Sequence, residues 1–206
     1  MPSHPSTAEL FRHDLSGGAI RREDQRRVLA VSQVLVQALH FSLVDIVGED
    51  AADVLYRTGY EWALQDMLQL HRRMTDEFGG AKFDFWQTDP KFVFDAWWAP
   101  LESAGWGTLA ADFTLRPGLA HFEVRRSVVA DALAGSDQPV CHLYAGQLAG
   151  VFSFFSRQER HVAEIECVAM GHEVCRFIAG PGAEIDAAET WRQQGIAAAE
   201  IVRRCR

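Results

Sequence analysis

The chain has 206 residues, 48% hydrophobic and 23% charged, which is enough for one sizeable core and too little for two full domains. Disordered, collagen-like and repeat classes are excluded by that balance. With 20 Lys and Arg against 28 Asp and Glu, the formal charge is −8, the wrong sign for a groove that neutralises phosphates, so no nucleic-acid partner is expected.

Residues 1–22 hold Pro2, Pro5 and the breaker Ser16-Gly17-Gly18, which reads as a flexible N-terminal arm with a short helical turn near Ala8 to His13. The arm has no apolar stretch of the kind a signal peptide carries. From Glu23 the apolar residues Val28, Val31, Leu35, Leu39 and Ile46 recur at helical spacing, while Leu29, Val34, Val36, Phe41 and Val44 fill other faces. A helix apolar on most sides needs more than one packing partner, either the monomer's own core or a second copy of the chain. Ser32, Gln33, Gln37, His40 and Asp45 interrupt this stretch, so no membrane span is expected and the protein is read as cytoplasmic.

Gly48-Glu49-Asp50 breaks that helix and starts a second one, running to about Phe78. Its seam of Tyr56, Gly59, Ala63, Met67, Leu70 and Met74 is a packing face in which Gly59 and Ala63 let another backbone come close. After Gly79-Gly80, eight aromatic residues fall between Phe83 and Trp106, around a helix expected over 90–103. They form either an aromatic core or one wall of a ligand cavity, with Trp97, Trp98, Trp106, Phe122 and Phe152 as lining residues and Glu102, Asp95 and His121 as candidate polar groups.

Residues 108–115 and 121–126, joined by Arg116-Pro117-Gly118, alternate as a β-hairpin, and 127–133 reads as a short helix. Residues 139–155 read as a helix rich in small side chains that packs closely on a sheet. Two strands follow at 160–167 and 174–178, with a turn at Met170-Gly171-His172. Gly180-Pro181-Gly182 leads to a peripheral C-terminal helix over about 185–203. The domain plan is therefore an arm (1–22), one ligand-binding domain (23–182) and a C-terminal helix (183–206).

In a reducing compartment Cys141, Cys167, Cys175 and Cys205 stay as thiols, so clustering among them points to metal binding before disulfides. Cys141 opens a helix, while Cys167 ends one strand and Cys175 begins its neighbour, so the strand-turn-strand can bring the last two together. Converging thiolates suit Zn(II), which takes four tetrahedral N or S ligands and accepts a carboxylate. Spacing leaves Glu164, Glu166 and His172 open as the fourth ligand, with His172 favoured by its place in the turn.

The stretch Gln138-Pro139-Val140-Cys141, Gly146, Gly150, Glu164-Ile165-Glu166-Cys167, Gly171 and Cys175-Arg176-Phe177 resembles the 4-vinyl reductase domain. It is similar in particular to the sensor domains of phenol- and xylene-responsive bacterial activators and to stand-alone bacteriochlorophyll 4-vinyl reductase-like proteins. The resemblance covers roughly residues 119–182, and it implies zinc held by Cys141, Glu164, Cys167 and Cys175 within a hairpin region spanning 141–178. It also implies an α+β fold, an antiparallel sheet packed by helices, commonly dimeric through the N-terminal half. Cys205 matches nothing in the family pattern.

Four protein ligands fill a tetrahedral zinc, so the site is expected to be structural, with its surplus negative charge offset by Arg176, Arg160 or His172. No G-x-x-x-x-G-K-[ST] loop is present, so a complete ATPase-driven transcription factor is not expected, and no G-x-G-x-x-G fingerprint supports a hydride-transferring reductase. The function expected is a non-catalytic module, a zinc-stabilised homodimer that binds a hydrophobic or aromatic small molecule and signals it or delivers it to a partner protein. Two alternatives are an accessory protein of tetrapyrrole synthesis linked to vinyl reduction and a zinc-dependent enzyme.

Overall fold

The computed structural model of the chain describes residues 10–22 and 25–206. The first residues described do not follow the expectation of an arm with a helical turn. Phe11–Asp14 (β1) and Ala19–Arg22 (β2) pair as an antiparallel hairpin, and Arg27–Val28 (β3) adds a third short strand. The Asp14 carboxylate accepts from the Gly17 amide and the Ser16 hydroxyl, both at 2.8 Å, so the Ser-Gly-Gly breaker is a hairpin turn. Residues 1–9, including the expected turn's start at Ala8, lie outside the described residues.

The first long helix, α1 (Gln33–Val47), begins about ten residues later than the periodicity suggests. Ser32 caps it, its side chain accepting from the Leu35 amide at 3.3 Å, and the preceding chain is committed to β3. No residue of α1 is buried. Helix α2 (Ala51–Glu77) follows, and its buried residues include Gly59, Ala63, Met67, Leu70 and Met74, the expected seam. Asp89 caps α3 (Pro90–Ser103) by accepting from the Lys91 amide at 2.9 Å, with Pro90 at the first helical position, where no amide is needed.

Strands β4 (Thr108–Asp112) and β5 (Ala120–Arg125) form the expected hairpin. A short helix α4 (Val128–Ala132), the helix α5 (His142–Ser156), and strands β6 (His161–Glu166) and β7 (Cys175–Gly180) then complete a four-stranded antiparallel sheet of order β4-β5-β7-β6. Alternation along the strands sends Phe122, Val124, Val162, Cys175 and Phe177 into the main core with residues of α2, α3 and α5. Ala163, Ile165 and Ile178 face the other way.

That second face is covered, and here the expectation of one peripheral C-terminal helix fails. Two helices, α6 (Gly182–Gln193) and α7 (Ala198–Arg204), are separated by a turn at Gly195, whose φ of 77° is left-handed. Ile185, Ala188, Ala198, Ile201 and Cys205 from them bury the sheet's second face. Cys205 is thus a small buried hydrophobe. Among the described residues no helix is long and apolar enough to cross a membrane.

Candidate functional site

Four groups far apart in the sequence meet at the N-terminus of α5. Cys141 is the helix cap, Glu164 lies on β6, Cys167 follows that strand and Cys175 opens β7. The three cysteines are fully buried and Glu164 is 7% exposed, with their ligand atoms all within 4.8 Å of one another. The Cys141 sulfur lies 3.6 Å from that of Cys175 and 4.0 Å from that of Cys167. A disulfide needs roughly 2.05 Å. Two sulfurs on one tetrahedral zinc, each at about 2.3 Å from it, stand roughly 3.8 Å apart. The spacing is that of a metal site, and this buried three-cysteine, one-glutamate group can bind a metal ion.

Glu164 joins the thiols because β6 is irregular. In a regular strand Glu164 and Glu166 would share a face. The register shifts between them, Glu164 pairing with Phe177 and Glu166 with Arg176, so Ile165 is an extra residue and the two carboxylates part company. Glu164 enters the main core, where its Oε2 accepts from the Cys141 amide at 2.9 Å. Its Oε1 is buried with no partner among the described residues, a costly state for a carboxylate oxygen that a bound cation would relieve.

Glu166 emerges on the opposite face and pairs with Arg176, which also holds Glu123 at 3.0 Å, while His172 Nδ1 lies 3.2 Å from Glu166. His172 is 44% exposed and stands outside the buried cluster, which removes it as fourth ligand. Arg176, expected to offset the cluster's charge, instead serves Glu166 and Glu123. Nearer compensation comes from the Val168 amide, 3.4 Å from the Cys175 sulfur, and from Ser127 Oγ, 3.6 Å from the Cys141 sulfur.

The unmetallated cluster cannot ionise as a whole. Burial, then hydrogen bonding to Cys167 and Cys175, pushes the Cys141 thiol up, and burial beside Cys167 does the same to Glu164. Hydrogen bonds from Cys141 and Cys175 hold the Cys167 thiol down to about 2. For Cys175, the bond from Cys141 is outweighed by donation to Cys167 and by burial, and its thiol moves up. One thiolate is stabilised at the expense of its neighbours.

The aromatic residues divide between core and cavity. A cavity of about 370 Å³ lies between α2, α3 and the N-terminal hairpin, bounded by Trp62, Trp97, Trp106, Phe11, Arg22, Arg26 and Asp66 among others. Trp62 and Trp106 meet edge to face at 5.3 Å. Trp97 Nε1 is buried with no acceptor among the described residues, and Arg26 pairs with Asp66 at 2.9 Å. Of the residues expected to bind ligand, this cavity gathers Trp97 and Trp106. Trp98 is packed in the core, its Nε1 donating to the Gly107 carbonyl at 2.8 Å, and Phe122 stacks on Phe94 at 4.9 Å. Phe152 sits over a different cleft, and Glu102 is exposed in the last turn of α3. Asp95 pairs with Lys91, and His121 is half-buried beneath α7. Sequence reasoning misses Trp62 and Phe11. Trp62 sits beside the seam of α2 and looks like packing, while Phe11 lies in the segment expected to be an arm.

The fold and the cluster together define a mixed helix and antiparallel-sheet domain with a buried three-cysteine, one-glutamate group. Residues 120–181, which contain all four of those side chains, match the family model of the 4-vinyl reductase domain. The chain is similar to the phenol-responsive sensory domain of the transcription activator PoxR, solved with phenol, at a TM-score of 0.69 and 19% identity over 92% of each chain. It also matches a vinyl-4-reductase family protein from Methanocaldococcus jannaschii, with 18% identity, 72% of this chain and 87% of that one covered, and a TM-score of 0.43. A trafficking protein particle complex subunit 3 from Naegleria fowleri, covalently bound to palmitic acid, matches at 10% identity, 72% and 96% coverage, and a TM-score of 0.41. No curated protein matches the sequence.

Proposed function

We propose that this protein is a non-catalytic domain that binds a hydrophobic, aromatic small molecule and signals it or delivers it to a partner protein, with Zn(II) held by Cys141, Glu164, Cys167 and Cys175 as a structural element. The observation that carries the binding reading is the cavity walled by Trp62, Trp97 and Trp106, whose volume falls in the range of small-molecule sites. Its buried, unpartnered indole donor on Trp97 suits a ligand oxygen. The shared fold with a sensory domain solved with phenol supports the same reading. A structural metal follows from the donor set, since four protein ligands leave no position for a reacting water.

Calorimetric titration with phenol as the probe tests the cavity. Binding is expected in the native protein, and Trp97→Ala or Trp62→Ala should weaken it at least about tenfold, the loss of one well-buried aromatic contact. Unchanged affinity in both variants would remove the cavity as the site.

The assembly we propose is a cytoplasmic homodimer formed through α1. Leu35, Leu39 and Ile46 share one stripe of this helix and are 47%, 60% and 79% exposed, an apolar surface unusual for an isolated monomer. Sedimentation should give twice the chain mass, and the double substitution Leu39→Glu with Ile46→Glu should halve it without loss of helix content. A monomeric native protein would sink the dimer and leave the ligand reading intact.

A further inference from the structure

A second cleft, of about 410 Å³, opens at the C-terminal end of α5, bordered by Trp86, Phe113 and Phe155 together with Arg116, Arg157 and Arg160. It is separate from the tryptophan cavity, because Pro90 at the start of α3 borders this cleft whereas Leu101 near its end borders the other. Its charge runs against the rest of the molecule. Elsewhere arginines stand beside carboxylates, as Arg176, Arg192, Arg203 and Arg204 do. The cleft has no acidic lining residue, and among the described residues none of its three guanidinium groups has a carboxylate within 4.0 Å.

Neutral groups hold these side chains instead. Arg160 donates to Ser156 Oγ at 3.3 Å and Gln158 Oε1 at 2.6 Å, and Arg116 donates to the Cys205 carbonyl at 3.4 Å. The Arg157 guanidinium lies 3.8 Å from the centre of the Trp86 ring, a cation-π contact. Each is positioned, yet its charge is left uncompensated in a chain of net charge −8. Arg157 also occupies the left-handed cap of α5, with φ at 54°, where glycine would fit at no steric cost. One cation at a helix C-terminus suits the macrodipole. Three cations from two separate segments, ringed by aromatic faces, exceed what the helix end requires.

We infer that this cleft binds a small aromatic carboxylate, its ring lying among Trp86, Phe113 and Phe155 and its anionic group taken by the arginine forks. The test is calorimetric titration of the full chain with naphthalene-2-carboxylate and with the neutral 2-naphthalenemethanol. The carboxylate should bind at least about tenfold more tightly, as a charged hydrogen-bond pair implies, and the double substitution Arg116→Gln with Arg160→Gln should abolish that preference. Amide and indole NMR shifts of the native chain should place the carboxylate at Trp86, Arg157 and Arg160, which decides the matter even if the variant fails to fold. Equal affinities, no binding, or shifts centred on Trp62, Trp97 and Trp106 would overturn the assignment. So would binding only to vesicles of anionic phospholipid, which would make the cleft a lipid-surface contact.

Discussion

Replacing Cys175 with serine, or stripping the native protein with a strong chelator, is expected to lower its unfolding temperature by more than about 10 °C, on a scale of about 2–4 °C per kcal/mol for a domain of this size. Structural zinc carries on the order of 10 kcal/mol of folding free energy, comparable with the roughly 5–15 kcal/mol that a whole domain retains. Even half of that term would produce the shift. The cluster is costly without a cation, because it leaves a buried carboxylate oxygen unpartnered and crowds one thiolate against two protonated thiols. Thiol protons compete with the cation, so metal affinity falls as the pH is lowered. Cys205→Ala is the matched control, a buried thiol at the end of α7 outside the cluster, and should cost only about 1 kcal/mol while metal content stays at one ion per chain. Native mass spectrometry alongside thermal unfolding makes both readings together. A metal-free native chain whose unfolding temperature ignores Cys175→Ser would reduce the cluster to three buried small hydrophobes.

The parts of the molecule legible in the sequence are those in which local chemistry and tertiary need agree. Helix α3 is bounded as expected because Asp89-Pro90 is a strong start signal, and the seam of α2 is buried because its period matches a helix face. The choice between Glu164 and Glu166 is not legible from spacing. Two carboxylates two residues apart look equivalent in an ideal strand, and only the extra residue at Ile165, set by pairing with the neighbouring strand β7, separates them. The N-terminal hairpin is hidden for another reason, since its third strand is only two residues long and shows no alternation. The C-terminal helices read as peripheral because a lone amphipathic helix looks the same whether it covers a sheet or lies beside one. Of the cavity, Trp97 and Trp106 are within reach because aromatic density flags them, whereas Trp62 is an isolated aromatic on a helix whose pattern already has an explanation.

Gly146→Val should be among the most damaging single substitutions in the chain, although glycine inside a helix is ordinarily a weakness worth about 1 kcal/mol to repair. Helices α2 and α5 touch backbone to backbone: a Cβ built on Gly146 overlaps the Tyr56 carbonyl, one on Gly59 overlaps the Leu143 carbonyl, and one on Gly150 comes within 2.6 Å of the Tyr60 carbonyl oxygen. These obstacles are main chain on helices that cannot yield locally, so the whole crossing must open, and the overpacking cost of about 1–3 kcal/mol for extra methylenes is expected to reach its upper end or beyond. Gly182→Ala is the contrast. Its Cβ would meet only the His161 ring at 3.4 Å, and the change should be nearly neutral. The crossing also positions the metal cluster, because α5 carries Cys141 at its cap about one and a half turns before Gly146, while Glu164, Cys167 and Cys175 belong to the sheet and its connecting turn. Moving α5 away from α2 must move one ligand relative to three. Gly146→Val is therefore expected to weaken metal retention as well as stability, and its effect combined with Cys175→Ser should fall short of the sum, since both act through the same four-ligand geometry. Full additivity, with metal content unchanged in Gly146→Val, would show that the helix contact and the cluster are independent supports of the fold.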